Sequence, residues 1–160
     1  MFWCRTMRSI IDTIFEIREL QMFSTMIQIT GLNRTLHSGG PFTVFAPRDR
    51  AFMQLPKAVT QQLTSNVSLL TEMIDSHIVA GDLTYQDLLK MCKQGEQSII
   101  LKSIDGALLH IDLSDGIRIG GSTVITTDIR AKNGTIHSID RVTIPKIPQQ
   151  VGWMNEFSSR

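Results

Sequence analysis

Four turn dipeptides, Asp105-Gly106, Asp115-Gly116, Gly120-Gly121 and Asn133-Gly134, fall between residues 105 and 134. Glycine reaches positive φ without a steric penalty, and Asn and Asp tolerate it, so such pairs favour tight hairpin turns. Around them lie short stretches that alternate apolar and polar residues: Ser98 to Lys102, Ala107 to Leu113, Gly116 to Ile119, Thr123 to Asp128 and Thr135 to Ile139. Alternation sends successive side chains to opposite faces of a strand. Strands this short, punctuated this often, predict an antiparallel meander.

Upstream of Gln94-Gly95 the period is helical. Ile10, Ile11, Ile14, Ile17 and Arg18 form one stripe at helical spacing. Phe23, Met26, Ile27 and Ile29 form a second, running to Gly31, a natural helix stop. Leu32 to Leu36 adds a short helical turn, and His37-Ser38-Gly39-Gly40-Pro41 breaks the chain. Phe42 to Ala46 reads as a buried strand ended by Pro47, with a helical turn over Asp49 to Met53. Pro56 to Leu63 and Asn66 to Asp75 read as helices, the second with Val67, Leu70 and Ile74 on one face. His77 to Val79 reads as a strand closed by Gly81. Thr84, three residues before Asp87, forms an N-cap pair for a helix to about Lys93. Helices first and strands later predict an α+β fold, with the helices on one side of the β core.

A chain of 160 residues suits one domain with one core. Its 42% hydrophobic and 19% charged residues are a globular balance. A formal charge of +1 supplies no strong field for nucleic acid or an anionic membrane, and Arg130, Lys132 and Arg141 read as a solvated face. No apolar run approaches the ~20 residues of a membrane span. The opening Met1 to Arg8 has neither the charge order nor the apolar core of a signal peptide, which leaves a removed signal, a fragment or an internal chain. Cys4 and Cys92 leave two states open, a bridge or one buried and one loose thiol, and they make no zinc site.

The common catalytic signatures are missing: no Gly-x-Ser-x-Gly elbow, no His-Glu-x-x-His, no phosphate-binding loop and no dinucleotide fingerprint. His37, His77, His110 and His137 stand singly. His110 and Asp112 share a strand face, read as exposed surface rather than a metal pair. Ser138 points away from His137, so the two make no nucleophile–base pair. Asp12, Glu16 and Glu19 lie on a helix's wet face. The expectation is a chain that is not an enzyme and takes no cofactor and no metal.

Thr43-Val44-Phe45-Ala46-Pro47, followed by Ala51-Phe52, stands about ninety residues before Asn133-Gly134-Thr135-Ile136-His137-Ser138-Ile139-Asp140 and Val142 to Pro145. In this order the two segments resemble the signatures of the fasciclin domain family. The likeness spans about Ser9 to Pro145, which divides the chain into an extension (1–8), one fasciclin-like domain (9–145) and a tail (146–160). The tail is expected to be partly unpacked, with Trp153 and Phe157 able to dock it back. The family has Thr or Ser where Arg48 stands, so Asp49 is expected to take over the helix cap. A middle signature, a Tyr-His pair, is represented by Ser76-His77, with Val79, Gly81 and Thr84 to Leu88 in step and Ala80 in place of a proline. His77 is read as structural. Asp140 is expected to bond backbone or a neighbouring hydroxyl.

The resemblance implies a compact β-sandwich or wedge with several helices, mainly from the N-terminal half, packed around it. It implies a non-catalytic cell-adhesion or surface-attachment module, secreted, matrix-bound or held at the cell surface. Its partner would be a cell-surface or matrix protein or glycan, met as a monomer or through weak multivalent contacts. Asp128-Ile129 matches the Asp-Ile pair of animal relatives that contact integrins, which makes these two residues the adhesion candidates. The alternative is a small-ligand module, for a glycan or lipid, with a pocket between helices and β core. A third reading is a hydrolase using His137 or His110. The eight methionines are read as core filling rather than as a pocket lining. Asn33, Asn66 and Asn133 each open a glycosylation sequon.

Overall fold

The computed structural model describes residues 8–92, 95–106, 108–114, 116–119 and 122–142. In chain order the elements are α1 (Ile10–Glu16), a 3-10 turn (Arg18–Leu20), α2 (Gln21–Thr30), α3 (Asn33–Ser38), β1 (Phe42–Pro47), α4 (Asp49–Met53), α5 (Lys57–Ser65), α6 (Val67–Asp75), β2 (Ile78–Ala80), α7 (Tyr85–Met91), β3 (Ser98–Lys102), β4 (Leu108–Asp112), β5 (Arg118–Ile119), β6 (Ser122–Ala131) and β7 (Gly134–Ile139). Cys4, Lys93, Gly120-Gly121, Pro145 and the tail from 146 lie outside the described residues.

Strands β3 to β7 pair antiparallel in sequence order, as the turn dipeptides predict. Asn133-Gly134 acts differently from expectation. The two-residue connection is Lys132-Asn133, since Ala131 pairs with Gly134, and neither connecting residue has positive φ. Gly134 instead opens β7.

Among the described residues one sheet forms, in the order β2-β1-β7-β6-β5-β4-β3. Nothing local in the sequence announces its centre. There β1 lies parallel to β7, with Phe42 opposite Gly134, Val44 opposite Ile136 and Phe45 opposite His137. The two signature segments are therefore neighbouring strands. Register shifts along β6, between Val124 and Thr126 and between Thr126 and Ile129, bend the sheet. Its two end strands then nearly meet: Val79 bridges Ser103, and the Ile104 N–H donates to the Ile78 carbonyl at 2.9 Å. The result is a curled wedge.

Both faces of the central strands are covered. Val44, Ala46 and Ile136 face a core built with Ile10, Ile14, Phe23, Ile27, Leu70 and Ile74 from the helices. Phe45 and Ile139 face a second core inside the wedge, with Val79, Leu88, Leu101, Leu109, Ile111 and Ile119. This corrects the expected one-sided arrangement. Helices α1 to α6 cover one face, but Leu88 of α7 plugs the other. It also explains why all six residues of β7 are buried despite an alternating sequence. A parallel central pair buries both faces, and the polar residues on β7 must find partners inside.

Local chemistry accounts for most helix ends. Ser9 caps α1 by accepting from the Asp12 N–H at 3.2 Å, and Gly31 ends α2 at φ +81°. Thr84 and Asp87 form the expected capping box on α7. Asn66 caps α6, which leaves Val67 in the exposed first turn. The buried face of α6 is Leu69, Leu70, Met73 and Ile74, so Val67 does not share it.

Candidate functional site

The two signatures meet where β1, β6 and β7 converge with the loop leading into α7. Asn133 is the tie between them. Its Oδ1 accepts from the Ile10 N–H at 2.8 Å, and its Nδ2 donates to the carbonyls of Leu36 (2.9 Å) and Gly39 (2.8 Å). Its own carbonyl accepts from the Phe42 N–H at 3.0 Å. The side chain thus joins the start of α1 to the end of α3, and the main-chain carbonyl adds the start of β1. Gly134 sits where a Cβ would stand 1.8 Å from the Phe42 carbonyl oxygen. Only glycine lets β1 approach β7 this closely.

The polar residues of β7 are each satisfied. Thr135 donates to Asp82 Oδ1 at 2.5 Å, and Arg130 grips the same carboxylate through Nη1 (3.0 Å) and Nη2 (2.9 Å). Burial works to raise the Asp82 pKa, but the bonds from Arg130 and Thr135 hold it below the usual carboxylate range. His137 stacks on Phe45, with ring centroids 5.4 Å apart. One ring nitrogen, Nε2, donates to the Leu83 carbonyl at 2.9 Å, and the other, Nδ1, accepts from the Asp128 N–H at 3.2 Å. That pattern requires a neutral imidazole and leaves no nitrogen for acid–base work. Ser138 Oγ accepts from the Thr126 N–H at 3.1 Å, on the other face. Thr43 ties β1 to the same loop, donating to the Gly81 carbonyl and accepting from the Leu83 N–H, both at 2.7 Å. Asp140 pairs with backbone: Oδ1 accepts from the Thr123 N–H at 2.8 Å.

Asp128 has the only positive φ (+59°) recorded for a residue other than glycine among the described residues, at the irregular stretch of β6. Its Oδ1 accepts from the Tyr85 N–H at 2.8 Å, at the first residue of α7. The carboxylate sits where a helix N-terminus favours negative charge. Ile129 is half-buried and packs against the helical core. The adhesion candidates therefore carry structural duties as well, and of the two only Asp128 is exposed.

In the upstream segment Pro47 is the last residue of β1, and α4 begins at Asp49. Ala46 is fully buried, and Phe52 stacks on Phe23 with centroids 6.5 Å apart. Asp49 does not cap its own helix as expected. Its Oδ1 accepts from the Met22 N–H at 2.8 Å, which caps α2 instead. Arg48 pairs with Glu19 at 2.9 Å.

His77 is fully buried. Its Nδ1 donates to the Met73 carbonyl at 2.6 Å, and its ring meets Phe23 edge-on with centroids 6.1 Å apart. Burial lowers its pKa from 6.5 to about 4, partly offset by the bond to Met73. The neighbouring Asp75 is pushed the other way, from 3.8 to about 6, by burial and then by Asp105 and Glu72. These shifts oppose each other in stability. On acidification the unfolded chain protonates its His77 first, so stability is lost as pH falls from 6.5 towards 4, by about 3 kcal/mol in all. Asp75 takes up its proton in the folded state first, so its contribution is present at low pH and lost as pH rises through about 6. Asp75→Asn removes that counterweight. The variant should be more stable than wild type at pH 7 and lose stability more steeply between pH 6.5 and 4, read from urea midpoints across that range.

The model of the Fasciclin domain family matches residues 18–145. The chain belongs to the fasciclin domain family. Two proteins of Synechocystis sp. are similar to it: "Uncharacterized protein sll1735" is 38% identical, over 78% of this chain and 90% of its own length, and "Protein sll1483" is 34% identical, over 78% and 68%. Transforming growth factor-beta-induced protein ig-h3 of Sus scrofa is 26% identical over 88% of this chain, which spans 20% of that protein. Among solved structures, the FAS1 domain pair from the insect cell adhesion molecule Fasciclin I aligns with TM-score 0.67 at 18% identity, over 90% of this chain and 52% of that one. The curled sheet with its helices is thus a fasciclin fold.

Open clefts lie among the described residues of this fasciclin domain, three of them at places that bear on function. One of about 420 Å³ lies between α1 and α3, lined by Ile11, Asp12, Phe15, Asn33, Arg34 and His37. A second, of about 520 Å³, covers the outer face of β3 to β5, where His110 and Asp112 are exposed. Asp112 is held by Ser114, whose N–H and hydroxyl donate to it at 2.9 and 2.7 Å. A third, of about 330 Å³, lies between Ile17–Leu20 and Thr126, Ile129 and Ser138. No methionine lines any of the three, while Met26 and Met73 are buried in the helical core. Among the described residues no three His, Cys, Asp or Glu side chains are grouped to hold a metal ion, and no helix is long and apolar enough to cross a membrane.

Asp82, Tyr85 and the Asn133 tie were missed by sequence reasoning. Asp82 carries no periodic or motif signal, because its partners lie 48 and 53 residues away.

Proposed function

We propose that this fasciclin domain is a non-catalytic attachment module acting outside the cell or at its surface, with a surface or matrix protein or glycan as partner. Its membership of the fasciclin family over residues 18–145 carries this reading. The likeness in fold to a pair from an insect cell adhesion molecule agrees with it. The proposed contact surface is the exposed strip Ile125 to Asp128 on β6, beside the candidates Asp128 and Ile129.

The double duty of Asp128 sets the design of the test. Alanine there removes both the carboxylate and the bond to the Tyr85 N–H at the start of α7, a loss of about 1 kcal/mol. Asp128→Asn keeps an oxygen for the Tyr85 N–H and removes only the charge. Immobilised wild type should support attachment of the source organism's cells. The Asn variant, folded at the assay temperature, should support markedly less. Equal attachment by the two would remove the carboxylate from the contact surface.

A second reading, a small-glycan or lipid binder, is favoured by the cleft between Ile17–Leu20 and β6, which lies between helices and β core. A saturable rise in melting temperature with one member of a glycan and lipid panel, abolished by filling the cleft with Thr126→Trp, would support it.

A further inference from the structure

Asn133 is followed by glycine, and of the four asparagines in the chain, Asn33, Asn66, Asn133 and Asn155, it is the only one that is. An Asn-Gly bond is the sequence most open to self-modification. The glycine nitrogen can attack the asparagine side-chain carbon, and a glycine offers no Cβ to hinder the approach. The Gly134 N–Cγ bond forms as the Cγ–Nδ2 bond breaks, and ammonia leaves. Solvent water then opens the succinimide ring to aspartate or to isoaspartate. The sum is amide plus water giving acid plus ammonia, with no oxidant or reductant.

In the folded domain every part of this reaction is restrained. Three hydrogen bonds of 2.8–2.9 Å fix the side-chain amide, to Ile10, Leu36 and Gly39. Both amide hydrogens are engaged by carbonyls, so the leaving nitrogen is held. Gly134, the attacking residue, is buried against Phe42 and Ile10. Bringing its nitrogen onto Cγ requires the side chain to leave all three partners and the backbone to rotate at the first pair of the β1–β7 register.

The product cannot remake the tie. Aspartate lacks the two donors and would aim a carboxylate at the Leu36 and Gly39 carbonyls. Isoaspartate adds a backbone atom inside the two-residue connection between Ala131 and Gly134, which shifts the β6–β7 register.

We propose that Asn133 is a spontaneous deamidation site that the native fold holds closed, so that time spent unfolded converts the chain into a form that cannot regain the native stability of the fasciclin fold. The fold protects the residue on which it depends. The same restraint closes the Asn133 sequon to enzymatic modification once the domain has folded.

The test uses the full chain held at mildly alkaline pH, once native and once in urea, with samples taken over days. Trypsin releases Asn133 to Arg141, in which the acid and isoaspartyl forms are separated by chromatography and identified by mass. Deamidation of the urea-held chain is expected to run about a hundredfold faster than that of the native chain, as reaction through rare opening requires. The fraction that refolds to wild-type stability should fall in step with the acid forms. Equal rates at Asn133 in the two states would overturn the protection. Deamidated chain that refolds to wild-type stability would overturn the consequence. Asn133→Asp, made directly, isolates that second point: it should unfold at clearly lower urea than wild type or fail to fold, and wild-type stability would count against the proposal.

Discussion

Gly134→Ala is expected to destabilise this domain by more than about 4 kcal/mol, or to leave it unfolded. The argument is steric. The added Cβ would stand 1.8 Å from the Phe42 carbonyl oxygen, 2.9 Å from its carbon and 2.8 Å from Ile10 Cδ1. Two of these are backbone atoms, which cannot swing aside as a side-chain tip can. Relief requires β1 to move off β7 at the first pair of their parallel register, Phe42 opposite Gly134. The two strands it begins form the sheet's centre and face both cores. Gly31→Ala is the comparison. Gly31 also has positive φ (+81°), but nothing lies within 4 Å of its added Cβ. It should lose about 1 kcal/mol, the conformational penalty alone. Urea unfolding followed by circular dichroism separates the two. A Gly134 variant no weaker than the Gly31 variant would show that β1 and β7 can part at little cost.

Asn133→Ala should lose about 3 kcal/mol. The substitution leaves the Ile10 N–H and the carbonyls of Leu36 and Gly39 without the partner they have in the fold. Each is a terminal backbone group of a helix or the turn after it, and none has an intrahelical replacement. Asn133→Ser, which keeps one acceptor but is too short to span all three, should recover little. The loss should appear as faster unfolding and as earlier hydrogen exchange in α1 and α3. Amides of the distant wedge strands β3 and β4 should change least, because they exchange through openings that need not involve the tie. A loss below about 1 kcal/mol would mean that solvent replaces the side chain at all three groups.

Much of this molecule was legible in its residues. The meander from β3 to β7 follows from alternation and turn dipeptides, and the ends of α2 and α7 follow from Gly31 and the Thr84–Asp87 pair. These signals are local: each is completed within one turn or one strand, so composition and spacing suffice. The errors lie where a local rule was used for a residue with distant duties. Asp49 follows a strand and opens a helix, which reads as a cap for that helix. It caps α2 instead, because α2 presents an unpaired N–H to it across 27 residues of chain. Asn133-Gly134 reads as a turn pair, yet its value lies in what the turn touches. Asp128 reads as the end of the strand from Thr123 and as an adhesion candidate, neither of which announces that it bonds the start of α7 across 43 residues.

The sequence by itself determined which segments are helix and which are strand, where most of them stop, and the family to which the chain belongs. Only the tertiary structure decided that β1 lies parallel to β7, that both faces of this pair are buried, and that Asn133, Asp128 and Thr43 bond segments far from themselves. The reason is physical. A helix or hairpin is specified by interactions among neighbours and leaves a period in the residues, whereas a contact between chain segments ninety residues apart leaves none. It forms because two buried strands with facing polar groups have no other way to satisfy them away from water.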